Sequence, residues 1–369
     1  MSQPLRMYIG TYTRPDYKGK AEGIYVYRMD PDTGALAPVQ TVPDVENPSF
    51  LALDHQQRYL YAVNETKNGG VSAFRIDPAT GTLTFLNRQP SRGDDPCHLC
   101  VDPTGRYVAV ANYTSGSIAV LPIETDGSLG EAVDFVQHHG SGPNVRQAGA
   151  HMHMVVFSPD GQYLLTADLG IDRVLTYRLD TASGKLSLND ETEVPHTARS
   201  TNWRRSAQLA GGAGPRHLAF HPNGRYVFVI NELNSTIASF GYDAAQGALM
   251  PLGTVSTLPA GFSGESTTAE IVVAPSGAFV YGSNRGDDSI AVFAVDAATG
   301  GLTPVAREST RGKTPRSITL DPTGAFLYAA NQNSDTIVTF RVQPDTGTLT
   351  MQEPITSVPT PICLLFATR

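Results

Sequence analysis

Apolar and polar residues alternate along almost the whole chain in short runs, and the runs recur in one order. A period of two with β-branched and aromatic residues predicts half-buried strands, and the turn residues between runs bound them. The recurring phrase opens on a small turn, often with Pro. It continues through an alternating run, a turn of the form Asp-Pro-x-Gly, an aromatic, an apolar run, and an Asn or Asp. Pro-Ser-Phe-Leu-Ala-Leu-Asp at 48–54 leads in this way to Tyr-Leu-Tyr-Ala-Val-Asn at 59–64. Further copies start at Pro96, His151, Pro215, Thr268 and Pro315, and their second runs end at Asn112, Asp168, Asn231, Asn284 and Asn331.

Each copy is followed by a third apolar run, such as Ser-Ile-Ala-Val-Phe at 289–293. Then comes Asp-x-x-Thr-Gly-x-Leu, as at 77–83 and 296–302, a tight turn into a fourth strand. Four short antiparallel strands in roughly 50 residues make a propeller blade. Six copies are complete. A seventh is divided between the ends of the chain: Pro-Ile-Cys-Leu-Leu-Phe at 361–366 supplies an innermost strand, and Met-Tyr-Ile-Gly-Thr at 7–11 the second strand of the same blade. The expected fold is all-β, a seven-bladed β-propeller over residues 1–369 as a single domain, closed by the shared blade. Closure removes the open edge that a linear stack of sheets would expose.

The interval between Asp-Pro-type turns lengthens twice, at residues 138–149 and 192–214. Both inserts are polar, both precede a first strand, and both are expected to emerge on one face of the ring, where loops longer than their siblings carry binding. The formal net charge of −8 argues against a nucleic-acid partner, which needs a basic face. No run reaches the roughly 18 apolar residues of a membrane helix, and the first residues lack the apolar core of a secretory signal. Three cysteines, Cys97, Cys100 and Cys363, are too sparse for a disulfide framework. The expectation is a cytoplasmic protein, a monomer or weak homodimer, with no membrane partner.

Strand order gathers the polar residues. The first strand of each blade lines the channel and the second runs antiparallel to it. The starts of first strands (Ser49, His98, His153, Arg216, His217, Glu270, Arg316) therefore share one rim with the ends of second strands (Glu65, Tyr113, Asp168, Asn231, Glu232, Asn284, Arg285, Gln332). Arg recognises carboxylate or phosphate bidentately, His exchanges protons near neutral pH, and Glu activates water. Each residue also has a plainer use: Asn at a strand end bonds its own turn, and a repeated charge can tie blades together. Cys97 and Cys100, three apart on a strand, face opposite sides, and no second ligand pair accompanies them. His151 and His153 share one face of a strand and would need a third ligand to hold a metal. No metal or cofactor is expected, and neither a nucleophile elbow nor a phosphate-binding loop is present.

The segment Gly-Pro-Arg-His-Leu-Ala-Phe-His-Pro-Asn-Gly-Arg-Tyr at 214–226, running on to Asn231-Glu232, resembles the seven-bladed propeller lactonases, the family of the bacterial 6-phosphogluconolactonase of this fold and of fungal carboxymuconate cyclase. Residues 153–161, Ser283–Gly286, 314–316 and Gly-Thr-Tyr-Thr at 10–13 fit the same resemblance, which covers essentially the whole chain. It implies a catalytic set of His153, Arg216, Glu232 and Arg285. His98, His217, Glu270, Arg316 and Asn231 are the accompanying candidates for substrate binding. The implied reaction is metal-independent hydrolysis of a sugar lactone, phosphorylated or not, with Glu232 as general base on water, His153 protonating the leaving alkoxide, and Arg216 and Arg285 holding the anion. The substrate would be a small anionic lactone or sugar acid, and Arg146, Arg204, Arg205, Arg311 and Lys313 are candidate phosphate ligands. Two other readings stand beside it: a carboxymuconate-type cycloisomerase using the same groups, and a non-enzymatic binding propeller. The insert at 192–214, with Trp203-Arg204-Arg205, departs from the family pattern.

Overall fold

The alternating runs fold into seven antiparallel sheets arranged in a ring, in a computed structural model that describes residues 5–189 and 203–367. Blades are numbered here by their innermost strands: Leu51–Leu53, Pro96–Val101, Met152–Phe157, Pro215–Phe220, Thr267–Val273 and Pro315–Leu320 for blades 1 to 6, and Pro361–Ala367 for blade 7. In blade 7 that last strand pairs with Arg6–Thr11, so the ring closes on the pairing expected between the two ends of the chain.

The repeated phrase has a mechanical reason at each point. In the Asp-Pro-type turn of blade 2 the buried Asp102 carboxylate accepts from the Arg106 and Tyr107 amides at 2.7 and 2.6 Å and from the Thr104 amide at 2.9 Å. It thus satisfies backbone donors that a tight turn would otherwise leave unpaired. The aromatic residues of the second strands tie each blade to the next. Tyr61 in blade 1 donates to the Gly127 carbonyl of blade 2, Tyr281 to Gly347, Tyr328 to Gly34, and Tyr8 of the split blade to Gly81. Gly127 has φ 88°, and a Cβ there would lie 2.1 Å from the Tyr59 ring, so a side chain would push the two blades apart.

The Asn residues at the ends of second strands belong to this same frame. Asn112 Nδ2 donates to the Ser91 carbonyl of blade 1, Asn284 to Thr257 of blade 4, Asn331 to Thr310 of blade 5 and Asn64 to Glu46 of blade 7. Asp168 fills the equivalent place in blade 3 and takes His138 Nδ1 at 2.9 Å. These side chains are inter-blade clamps.

Blade 3 departs from four strands. Its third strand, Arg173–Asp180, pairs with Lys185–Leu188 along one half and with Ser206–Gln208 along the other. The expectation that the insert at 192–214 emerges on the rim is corrected for residues 203–208. Arg204 bridges to Leu249 in the outer strand of blade 4 and Ser206–Gln208 pairs at the outer edge of blade 3, so that stretch lies at the periphery of the ring. Residues 209–214 return to the rim, where the Gly212 and Gly214 amides donate to Asp172 and the Gly214 carbonyl accepts from the Glu232 amide; residues 192–202 lie outside the described residues. No helix among the described residues is long and apolar enough to cross a membrane.

Replacing Asp102 by Ala strands the amides of Arg106 and Tyr107 in a buried turn. The expected cost is about 1–3 kcal/mol, read as a lower urea midpoint with an unchanged slope.

Candidate active site

In a regular strand successive side chains face opposite sides. Arg216 and His217, adjacent in sequence, could not then both reach the channel. They do so because the inner strands are bulged at one point. In blade 4 Pro215 pairs with Asn231 and His217 with Ile230, which leaves Arg216 as an extra residue. The same shift falls at Cys97, His153, Arg316 and Ile362, and in blade 5 between Thr268 and Ile271. A bulge re-aims a side chain and ends regular pairing, and such bulges favour barrel rims and active sites.

The result is two layers at one end of the channel. The upper layer holds Ser49, Cys97, His153, Arg216 and Arg316. With Glu65, Tyr113, Arg146, Glu232 and Arg285 it surrounds a cavity of about 120 Å³ and a void of about 10 Å³ beneath it. The lower layer holds Phe50, His98, His217 and Glu270. The His98 ring lies 3.8 Å from Phe50 and 5.3 Å from His217, and His217 Nδ1 lies 2.7 Å from Glu270 Oε1. Arg216 Nη1 sits 3.2 Å from His217 Nε2. A guanidinium can only donate, so Nε2 is the acceptor and the His217 proton is on Nδ1.

Glu232 is the electrostatic centre. Its Oε1 meets Arg146 at 2.6 Å, and its Oε2 meets both Arg216 and Arg285 at 3.0 Å. Burial alone would raise its carboxyl, but the three guanidiniums overcome that and hold it well below the usual carboxylate range. Glu270 has the opposite balance: burial pushes it up to about 7, although Arg216 is near. Burial, with Arg216, His217 and Arg316 nearby, pushes His153 well below its ordinary 6.5, so its imidazole is neutral at pH 7. Burial also pushes the Cys97 thiol well up, which removes it as a nucleophile. Arg285 Nε is buried with no acceptor among the described residues.

Of the residues expected at the site, His153, Arg216, Glu232, Arg285, Arg316, His217 and Glu270 converge on these two spaces. His98 supports them from the lower layer. Asn231 does not reach the cavity: it is buried, and its Nδ2 donates to Thr236 Oγ1 at 2.9 Å within its own blade. Among the candidate phosphate ligands only Arg146 arrives. Arg311 pairs with Glu308, Lys313 with Asp288, and Arg204 and Arg205 follow the peripheral segment. Arg146 sits on one 3-10 turn, Val145–Gln147, inside the insert at 138–149. Gln147 anchors that turn through the Leu169 carbonyl and the Asp172 carboxylate, both at 2.7 Å. Sequence reasoning passed over Tyr12 and Cys97 as site residues. The signal for Cys97 was there: it occupies the position of Arg216 and Arg316 in the repeat.

The chain from residue 6 to 366 matches a family described as the seven-bladed β-propeller lactonases. It is 39% identical to a 6-phosphogluconolactonase of Bacillus subtilis over 97% of each chain. It is 33% identical to a 6-phosphogluconolactonase of Formosa agariphila over 84% of this chain and 85% of that one. The periplasmic gluconolactonase of Pseudomonas aeruginosa superposes with a TM-score of 0.89, at 34% identity over 99% of both chains.

Glu232→Gln leaves Arg216 and Arg285 buried without their counter-charge, a loss of about 3–5 kcal/mol to be read by urea denaturation at pH 7. The pH dependence has a definite sign. Because the folded carboxyl is held below its ordinary 4.5, the stabilisation is complete above that value and is lost as pH falls toward the depressed one. The gap between wild type and Glu232→Gln therefore closes only in strong acid.

Proposed function

The chain belongs to the seven-bladed β-propeller lactonase family, and from that premise we propose that the rim cavity hydrolyses a six-membered sugar lactone bearing an anionic group, a phosphate in the favoured case. The observation that carries this reading is the excess of positive charge facing the cavity. Arg146, Arg216, Arg285 and Arg316 border it or the void beneath, opposed by one carboxylate, Glu232, whose charge is assured at pH 7. Burial raises both Glu65 and Glu270. A cavity of about 120 Å³ falls below the roughly 300–1,000 Å³ of sites for drug-sized ligands and suits a single polar ring. Relatives carrying the names 6-phosphogluconolactonase and gluconolactonase support the same substrate class.

Arg285 Nε, a buried donor without an acceptor among the described residues, is suited to the lactone carbonyl oxygen. A donor held in place before reaction stabilises the developing oxyanion without reorganisation. Arg146 is the exposed arm of the cluster and is suited to the phosphate at the cavity mouth. The expected roles of Glu232 and His153 change in this reading. Both oxygens of Glu232 are occupied by guanidiniums, so it serves as the counter-ion that orients them. The neutral imidazole of His153 takes a proton from the attacking water. The arginines supply the charge stabilisation, so this route calls for no metal. Three cysteines that are all unpaired fit a reducing, cytoplasmic setting.

The test is proton release by the purified protein on sugar lactones with and without phosphate. Hydrolysis is expected, with the phosphorylated lactone preferred and activity surviving exhaustive chelation. His153→Asn is expected to lose about 10²–10⁴-fold in kcat/KM. The acid limb of the wild-type profile should fall below pH 6.5, because activity disappears only when His153 gains its proton. Arg146→Ala should raise KM about tenfold or more for the phosphorylated lactone alone, the loss of one charge-assisted contact. No acid release from any lactone by folded protein would overturn the reading.

A further inference from the structure

Lactone opening needs a second proton transfer, to the ring oxygen that leaves as an alkoxide, and neither the arginines nor Glu232 can make it. We propose that Glu65 is the catalytic acid that protonates this alkoxide, delivering the proton from Oε2. The proposal rests on the lactonase reading above and deepens it.

Glu65 and Glu232 hold the same position in the repeat, each following the Asn that ends a second strand, in blades 1 and 4. Their surroundings differ in kind. Glu232 has a guanidinium on each oxygen, so neither oxygen can carry a proton. Glu65 is reached through a neutral link. Arg316 Nη2 donates to the Tyr12 hydroxyl at 2.9 Å, and Tyr12 lies 2.8 Å from Glu65 Oε1. A guanidinium only donates, so the Tyr12 oxygen accepts from Arg316 and its one proton points to Oε1. Oε1 is thereby fixed as an acceptor, and a proton on this carboxyl must sit on Oε2. Besides Tyr12, the Ser49 hydroxyl is the one other hydrogen-bonding side chain that acts on this carboxyl among the described residues. Glu65, His153, Cys97 and Arg316 form the wall common to the cavity and the void beneath it, so the acid and the base face one space. Burial raises the Glu65 carboxyl, with Arg316 and the Ser49 and Tyr12 hydroxyls offsetting part of that, and the net upward direction favours the protonated form the step requires. Two carboxyls whose environments push them apart are the usual arrangement for dividing acid work from charge work.

The proton account closes. Water adds to the carbonyl carbon and gives one proton to His153. The bond from that carbon to the ring oxygen breaks, and the oxygen takes the Oε2 proton of Glu65. The product carboxylic acid ionises and releases one proton to solvent, and the His153 proton returns through solvent to Glu65. The net change is lactone plus water to hydroxycarboxylate plus one proton.

The experiment compares two lactones in wild type and Glu65→Gln. One is the sugar lactone, whose leaving group is an alkoxide. The other is dihydrocoumarin, whose phenolate leaves without an acid. Gln keeps the oxygen that Tyr12 binds, and equal melting temperatures confirm an intact fold. The expected result is a loss of about 100-fold or more in kcat/KM on the sugar lactone, under about tenfold on dihydrocoumarin, and disappearance of the basic limb of the pH profile. Equal losses on both substrates, no loss on either, or the same selective pattern from Tyr113→Phe would overturn the assignment to Glu65 while leaving the lactonase reading in place. Should dihydrocoumarin not be turned over, a basic limb that persists in Glu65→Gln overturns it alone. A wild type inactive on both lactones would sink the lactonase reading, and this one with it.

Discussion

Everything at the rim depends on ring closure. Seven twisted sheets meet around one axis only if the last strand of the chain, Pro361–Ala367, pairs with the first, Arg6–Thr11. That pairing converts a row of blades into a circle and brings residues from blade 1 and blade 4 to opposite walls of one cavity. The same ladder of tyrosine-to-glycine contacts that ties blade 1 to blade 2 also ties blade 6 to the split blade 7 and blade 7 to blade 1. The closing blade is thus bonded like its siblings. A rigid ring can hold buried arginines at a channel mouth, because the charges have no easy route to water.

The bulge is the second device. Regular strands would send half of the polar residues at the strand starts into the sheet interfaces, where a charge would be costly. One extra residue at the start of six inner strands turns both Arg216 and His217, in the case of blade 4, toward the channel. It stacks the rim in two layers, with Arg216 of the upper layer bonded to His217 of the lower. Arg216 illustrates the coupling: it contacts Glu232, His217 and the Ala269 carbonyl at once.

Charge is divided unequally across the cavity. One wall concentrates three guanidiniums on a single carboxylate, and the other sets one guanidinium behind a tyrosine. The first arrangement keeps its carboxylate ionised and leaves an excess of positive charge. The second leaves a carboxyl able to hold a proton. Two glutamates at the same place in the repeat are made chemically different by their neighbours in the ring.

The sequence by itself determined the number of blades, the split of the seventh, the four-strand unit, and the rim on which Arg216, Glu232, Arg285, Arg316 and His153 meet. These follow from a period of two, from turn chemistry and from strand order, all local properties repeated many times. It also marked the insert that carries Arg146. Tertiary structure decided the rest. It moved Trp203-Arg204-Arg205 to the outer edge, because a strand at 206–208 found a free half of Arg173–Asp180 to pair with. It made Asn231 a frame residue. It placed Cys97 in the cavity wall and Tyr12 between Arg316 and Glu65, and it set Glu232 among three guanidiniums. Those outcomes depend on which charges come within hydrogen-bonding distance across blades far apart in the chain, and on burial that shifts a carboxyl one way or the other. Neither distance nor burial is a property of any local run of residues.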